Sequence, residues 1–158
     1  MGRILALVDG SIYCESVCRH AVWVARQNGA AVDVVHVLGR REVGFRLALG
    51  ANGKRPGQDN GRAETELSHL VQMRGQAILD KAHDLISAEN ITVTTGLMKG
   101  DLLSVLRDVA AGAELIVIGK RGEAADFATG HLGSNLERVV RAARLPIFVA
   151  SRAFRPIS

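Results

Sequence analysis

Cysteine is nearly absent from this chain: Cys14 and Cys18 are the only two among 158 residues. That excludes the disulfide framework by which small secreted domains are stapled. Proline occurs three times, and aromatic residues make up only 4%, so the core must be aliphatic. No apolar run approaches the roughly 18–20 residues that a membrane span requires. The N-terminal apolar run stops at Asp9, short of the length and small-residue cleavage site of a secretory leader. The expectation is a cytoplasmic protein with no membrane partner. Missing too are the phosphate-loop pattern GxxxxGK[ST] and any GxGxxG after a strand.

What is present is a chain long enough to bury a core of its own, with 47% apolar and 23% charged residues. This excludes wholesale disorder. Glycine is in excess, at 17 residues or nearly 11%, against about 7% in average proteins. The net charge of +4 is unevenly placed. Residues 39–62 carry six Lys/Arg against Glu42 and Asp59, and residues 134–158 carry five Arg against Glu137, so each segment is +4 and the remainder is −4. Without an accompanying row of aromatic side chains this charge makes nucleic acid a poor partner.

Hydrophobic period divides the chain into alternating strands and helices. Arg3–Val8 is a short apolar run that ends in the turn residues Asp9-Gly10-Ser11, with Ser11 as a candidate helix cap. Helical spacing through Val17, Ala21, Val24 and Ala25 stops at Asn28-Gly29, and Ala31–Leu38 reads as a buried strand. Gly39 to Arg62 holds six glycines and no sustained period, a long basic loop. A helical stripe from near Glu64 reaches Asn90, and Ile91–Leu97 is a third strand. Gly100-Asp101 opens a helix closed by Gly112, and Glu114–Gly119 is a fourth strand. After a glycine-rich loop, a helix from Ser134 to about Arg144 leads to the strand Pro146–Ala150. Strands alternating with helices predict a single α/β domain, a parallel sheet with helices on both faces. In such sheets ligands sit beyond the carboxyl ends of the strands, where strand order reverses. Asp9, Leu38, Gly100 and Gly119 therefore mark the region to inspect.

Two segments there carry chemistry. Gly119-Lys-Arg-Gly122 is followed, after ten residues, by Gly133-Ser134 at a helix start. Glycines let successive N–H groups turn into one concavity, a nest for phosphate oxygens, and the helix N-terminus and the Ser134 hydroxyl add donors. The bland alternative is a βα loop with a capped helix. Asp9, ending the first strand, can accept from ribose hydroxyls, or can close an Asx turn toward Ser11.

Together these pieces resemble the universal stress proteins: VDGS at 8–11, HV at 36–37, GD at 100–101, ELIVIGKRG at 114–122 and GSNLERVVRAARLPIFVA at 133–150. The resemblance runs in order over nearly the whole chain except the 39–62 loop. It implies a doubly wound, five-stranded parallel sheet of order 3-2-1-4-5. It also implies a cytoplasmic, stress-related regulatory protein that binds ATP or AMP/ADP, with or without Mg²⁺. Nucleotide-binding members carry two glycines separated by two residues, nine further residues, then Gly-Ser/Thr. Gly119 and Gly122 match the first pair and Gly133-Ser134 the last, but ten residues intervene here. By the same resemblance Asp9 faces ribose and adenine, Val37 offers backbone hydrogen bonds to adenine, and Gly100 lines the opposite wall. The 39–62 and 123–131 loops would order over the nucleotide and present a changed surface to a protein partner. A homodimer through the C-terminal strand is also implied. The same fold also has nucleotide-free members, which leaves a dimeric scaffold as the alternative.

No paired carboxylates and no nucleophile–base pair are evident, so no catalytic residue is assigned; slow ATP hydrolysis stays open. Cys14 and Cys18 stand four apart on the first helix with His20 off their shared face, a poor metal set. Cys14, nearer the helix N-terminus, would be the more acidic thiol if exposed. His36 reads as a core histidine, His131 as a loop histidine near any bound phosphate, and Arg138, Arg141 and Arg144 as a solvated helix face.

Overall fold

Alternation of side chains along each strand sets the architecture. The computed structural model describes residues 2–38, 60–121 and 134–155, with backbone alone at 60–65 and 134–135. The elements are β1 (Arg3–Leu7), α1 (Cys14–Asn28), β2 (Ala31–Leu38), α2 (Asn60–Ser87), β3 (Val93–Lys99), α3 (Leu102–Val109), β4 (Leu115–Gly119), α4 (Ser134–Ala142) and β5 (Ile147–Ala150). All strand pairs are parallel, in the order β3-β2-β1-β4-β5.

On β1, Ile4 and Ala6 point to one face and Leu5 and Leu7 to the other. The first face packs Val17, Ala21 and Ala25 of α1 and Leu79, Ala82 and Ile86 of α2, together with Val32, Val34 and Val117. The second packs Val105 and Leu106 of α3 and Leu136 and Val139 of α4 against Val35, Ile116 and Ile118. Each fully buried Val, Leu or Ile contributes about 1.5–3 kcal/mol relative to exposure. Both faces of the central strands are therefore covered, which is why their sequences read as continuous apolar runs.

Three boundaries differ from the sequence expectation. The second helix begins at Asn60, not near Glu64. Gly61 stands in the first turn of this 28-residue helix, and a glycine costs at most about 1 kcal/mol, too little to delay the start. The long loop therefore gives way to helix at residue 60; residues 39–59 of it lie outside the described residues. β3 is shifted to Val93–Lys99 because pairing with β2, from Val32↔Val93 to Leu38↔Lys99, defines its ends. The third concerns Ser11, which does not cap α1. The N-cap is Tyr13, with no side-chain cap bond, and Ser11 Oγ instead accepts from Tyr13 N at 3.2 Å.

After β5 the tail folds back over α1. Ser16 Oγ donates to the Ser151 carbonyl at 2.5 Å. The buried His20 ring lies between Phe148, 5.0 Å away, and Phe154, 4.8 Å away and edge-on. His20 Nδ1 donates to the Ser16 carbonyl at 2.7 Å, which fixes its ring plane. His20 thus serves packing, consistent with its place off the cysteine face.

Candidate functional site

The order β3-β2-β1-β4-β5 reverses between β1 and β4, because the chain adds strands outward from β1 in one direction and then in the other. At this point the end of β1 is held from both sides. The register sets Leu7 opposite Val35 on β2 and opposite Ile118 on β4. Continued by two residues, it brings Asp9 level with Val37 on one side and Lys120 on the other. Val8 stays in line, donating to the Val35 carbonyl at 3.0 Å. The buried His36 donates from Nδ1 to the Val8 carbonyl at 2.8 Å; a carbonyl only accepts, so this nitrogen carries the proton. The chain therefore leaves the sheet at Asp9.

Beyond that residue the turn is built by local hydrogen bonds. Asp9 Oδ1 accepts from Ser11 N at 2.9 Å, an Asx turn, and the Ser11 carbonyl accepts from Cys14 N at 3.2 Å. The turn role considered for Asp9 is realised.

The wall beyond Val37 is formed by the β3–α3 junction. Val37 is half-buried and packs on the α3 and α4 face of the core. Gly100 has φ +134°, a conformation that L side chains rarely adopt, and its N–H donates to the Leu38 carbonyl at 3.2 Å. Glycine is thus required where the chain turns from β3 into α3. Asp101 caps α3, accepting from Ser104 N at 3.3 Å, and pairs with Arg138 of α4 at 3.1 Å. The Arg138 guanidinium, and then the Ser104 amide, hold the Asp101 carboxyl below its ordinary value. Arg138 is therefore more than part of a solvated face: it ties the N-terminal turns of α3 and α4 together. Only the packing of the two helices joins residues 37 positions apart, and local sequence pattern carries no signal for that.

Across the crevice, Gly119 ends β4. A Cβ there would lie 2.8 Å from Cβ of Tyr13, whose side chain is buried. Packing of the β1–α1 turn against β4 thus demands glycine at this position. Tyr13 was not singled out in the sequence, and nothing local to it signals the contact. Lys120 N donates to the Ala150 carbonyl at 2.9 Å and extends the β4–β5 ladder. Asp9, Val37, Gly100 and Gly119 accordingly share the carboxyl edge of one sheet. Gly122, Gly133 and His131 lie outside the described residues, as does the 123–131 loop. Ser134 is the first residue of α4, with its side chain outside them.

The cysteines lie along α1. Cys14 is half-buried and Cys18 buried, and both are free thiols. A hydrogen bond from Cys18 holds the Cys14 thiol below its ordinary value, while that same bond and burial push Cys18 up. Cys14 is thus the more acidic thiol, and its bond to Cys18 is the cause. Among the described residues no three His, Cys, Asp or Glu side chains converge as a metal site. No described helix is long and apolar enough to cross a membrane.

The sequence model of the Universal stress protein family matches residues 1–151. The chain belongs to that family. Among its relatives, Universal stress protein Slr1230 of Synechocystis sp. (strain ATCC 27184 / PCC 6803 / Kazusa) is 29% identical over 166 residues. That alignment takes in 100% of this chain and 58% of the relative, so the chain spans little more than half the relative's length. A solved universal stress protein from Archaeoglobus fulgidus is similar with a TM-score of 0.66 and 27% identity, over 95% of this chain and 98% of that one. A universal stress protein from Archaeoglobus fulgidus in complex with dAMP matches with a TM-score of 0.62 and 23% identity, over 95% and 98% of the two chains. The family fold, with its switch point between β1 and β4, is the one described above.

Two outcomes follow from this geometry. Gly119→Ala should lower stability by about 1–3 kcal/mol through overpacking against Tyr13, read as a reduced urea midpoint with unchanged slope. Because the folded Asp101 pKa is depressed, its contribution is present at neutral pH and is lost as pH falls through that pKa. Asp101→Asn should therefore lower the urea midpoint at pH ~7, with the difference shrinking as pH falls below the ordinary carboxylate range.

Proposed function

We propose that this chain is an adenine-nucleotide-binding regulatory protein of the stress response, acting in the cytoplasm and taking ATP or AMP/ADP, with or without Mg²⁺. The observation that carries the reading is the meeting of Asp9, Val37, Gly100 and Gly119 at one carboxyl edge, astride the reversal of strand order. The dAMP complex of a protein with this fold supports the nucleotide class. On this reading Asp9 accepts from ribose hydroxyls and the Val37 backbone meets adenine. Gly100 forms the far wall. Gly119, Gly122, Gly133 and Ser134 cradle phosphate, helped by the positive N-terminal end of α4. Where Mg²⁺ accompanies ATP, it screens the phosphate charge. The function is switching, not catalysis: the 39–62 and 123–131 loops order over the nucleotide and alter the surface offered to a protein partner.

A homodimer through β5 belongs to the same reading. β5 is an edge strand with one row of backbone groups not paired within the sheet, and Val149 on it is exposed. The second reading, a nucleotide-free dimeric scaffold, is favoured by one feature. Ten residues separate Gly122 from Gly133 where nucleotide-binding members have nine.

Equilibrium dialysis at millimolar ligand should retain ATP or AMP on the wild-type chain. Asp9→Ala and Ser134→Ala should each weaken retention by about tenfold, the loss of one charge-assisted or phosphate hydrogen bond. Absence of retention would select the scaffold reading. In sedimentation at micromolar concentration the wild type should run as a dimer and Val149→Lys as a monomer; a monomeric wild type removes the β5 dimer.

A further inference from the structure

We propose that a groove between α1, the end of α2 and the C-terminal tail is a second ligand site, one that takes a small aromatic carboxylate. It is lined by Cys18, Arg19, Val22, Trp23 and Arg26 of α1, by Leu85 and Glu89, and by Phe154 of the tail. Helix spacing explains the α1 contribution: residues 18, 22 and 26 form one i, i+4 row and 19 and 23 the next. In a parallel α/β domain helices run back against the strands, so the ends of α1 and α2 lie toward the amino edge of the sheet. The groove shares no lining residue with Asp9, Val37, Gly100 or Gly119, and the proposal does not rest on nucleotide binding.

Size and lining choose the ligand's body. The cavity volume is about 140 Å³, the size of cavity that accepts a benzene-sized ring. Cys18, Val22, Leu85, Trp23 and Phe154 supply apolar and aromatic walls. The Phe154 wall is fixed, since its ring packs edge-on against His20, and Ser16 holds the tail through the Ser151 carbonyl. The rim chooses the ligand's charge. Two arginines line the groove against one glutamate, and Arg152 and Arg155 flank Phe154 in the chain. Arg19 bonds to Glu15 Oε1 through Nε and Nη2, at 3.0 and 2.9 Å. Arg26 reaches the carboxylate and the carbonyl of Glu89 through Nη2 alone. Nη1 of both residues and Nε of Arg26 take part in none of these bonds, and a guanidinium has five donors in a planar fork. A carboxylate above a ring seated in the groove can take those donors while both ion pairs persist. A neutral ring would forgo them, and a cation would meet guanidinium donors with nothing to offer it.

Trp23 is the only tryptophan of the chain, so its fluorescence reports on the groove directly. Titration with phenylacetate should give a saturable change with a Kd on the order of 1 mM, in keeping with a ligand of about ten heavy atoms. The uncharged 2-phenylethanol should bind at least about tenfold more weakly, the worth of one charge-assisted contact. Arg19→Gln alters an exposed side chain and should weaken phenylacetate several-fold with unchanged thermal midpoint. Val22→Phe fills the cavity and should abolish the response. No saturable change with phenylacetate up to tens of millimolar would overturn the site. Equal binding of 2-phenylethanol, or of phenylacetate to both variants, would overturn the ligand class and the placement respectively.

Discussion

Parallel pairing of β1 with both β2 and β4 is the constraint on which the rest of this molecule depends. It makes β1 the central strand, buried on both faces, and so divides its side chains strictly between two cores. It also determines where chain direction reverses, because strands are added on one side of β1 first and on the other side later. A crevice at the carboxyl end of β1 follows from that connectivity, before any ligand is considered.

The walls of the crevice are positioned by contacts that each serve two purposes. His36 fills the core and holds the last carbonyl in line with β1, so that Asp9 departs at a defined level. Gly119 lets Tyr13 close against β4, bringing the β1–α1 turn to the end of that strand. Asp101 caps α3 and, through Arg138, fixes the start of α4. Gly119 is itself a residue that motif reading selects. His36, Tyr13 and Arg138 are not, and they help to position those that are.

The outer side of α1 has a different character. There the tail after β5 returns over the helix, held by one hydroxyl and a histidine between two phenylalanines. Arg19 and Arg26 line the groove that results, and Arg152 and Arg155 flank Phe154 in the chain. The chain thus carries two concave regions, one formed by strand ends and one between α1, the end of α2 and the tail.

Much of the fold was legible in the sequence, because helices announce themselves through a period of 3.6 and buried strands as short continuous apolar runs, neither of which needs knowledge of the partner. Ile4 to Leu7, Val17 to Ala25 and Ile116 to Ile118 were read correctly for that reason. The turn residues Gly29, Gly100 and Asp101 were legible as well, since local backbone geometry dictates them. The order of strands came only with the family resemblance, because period does not say which strand lies beside which. The start of α2 and the ends of β3 escaped local reading, since helix growth and pairing with β2 set them. The sequence by itself thus determined the elements, their buried faces and the residues of the switch-point turn. Only the tertiary structure decided that Tyr13 meets Gly119, that Arg138 reaches Asp101 and that Phe154 closes a groove on Trp23. Those contacts join residues far apart in the chain, and packing alone brings them within range.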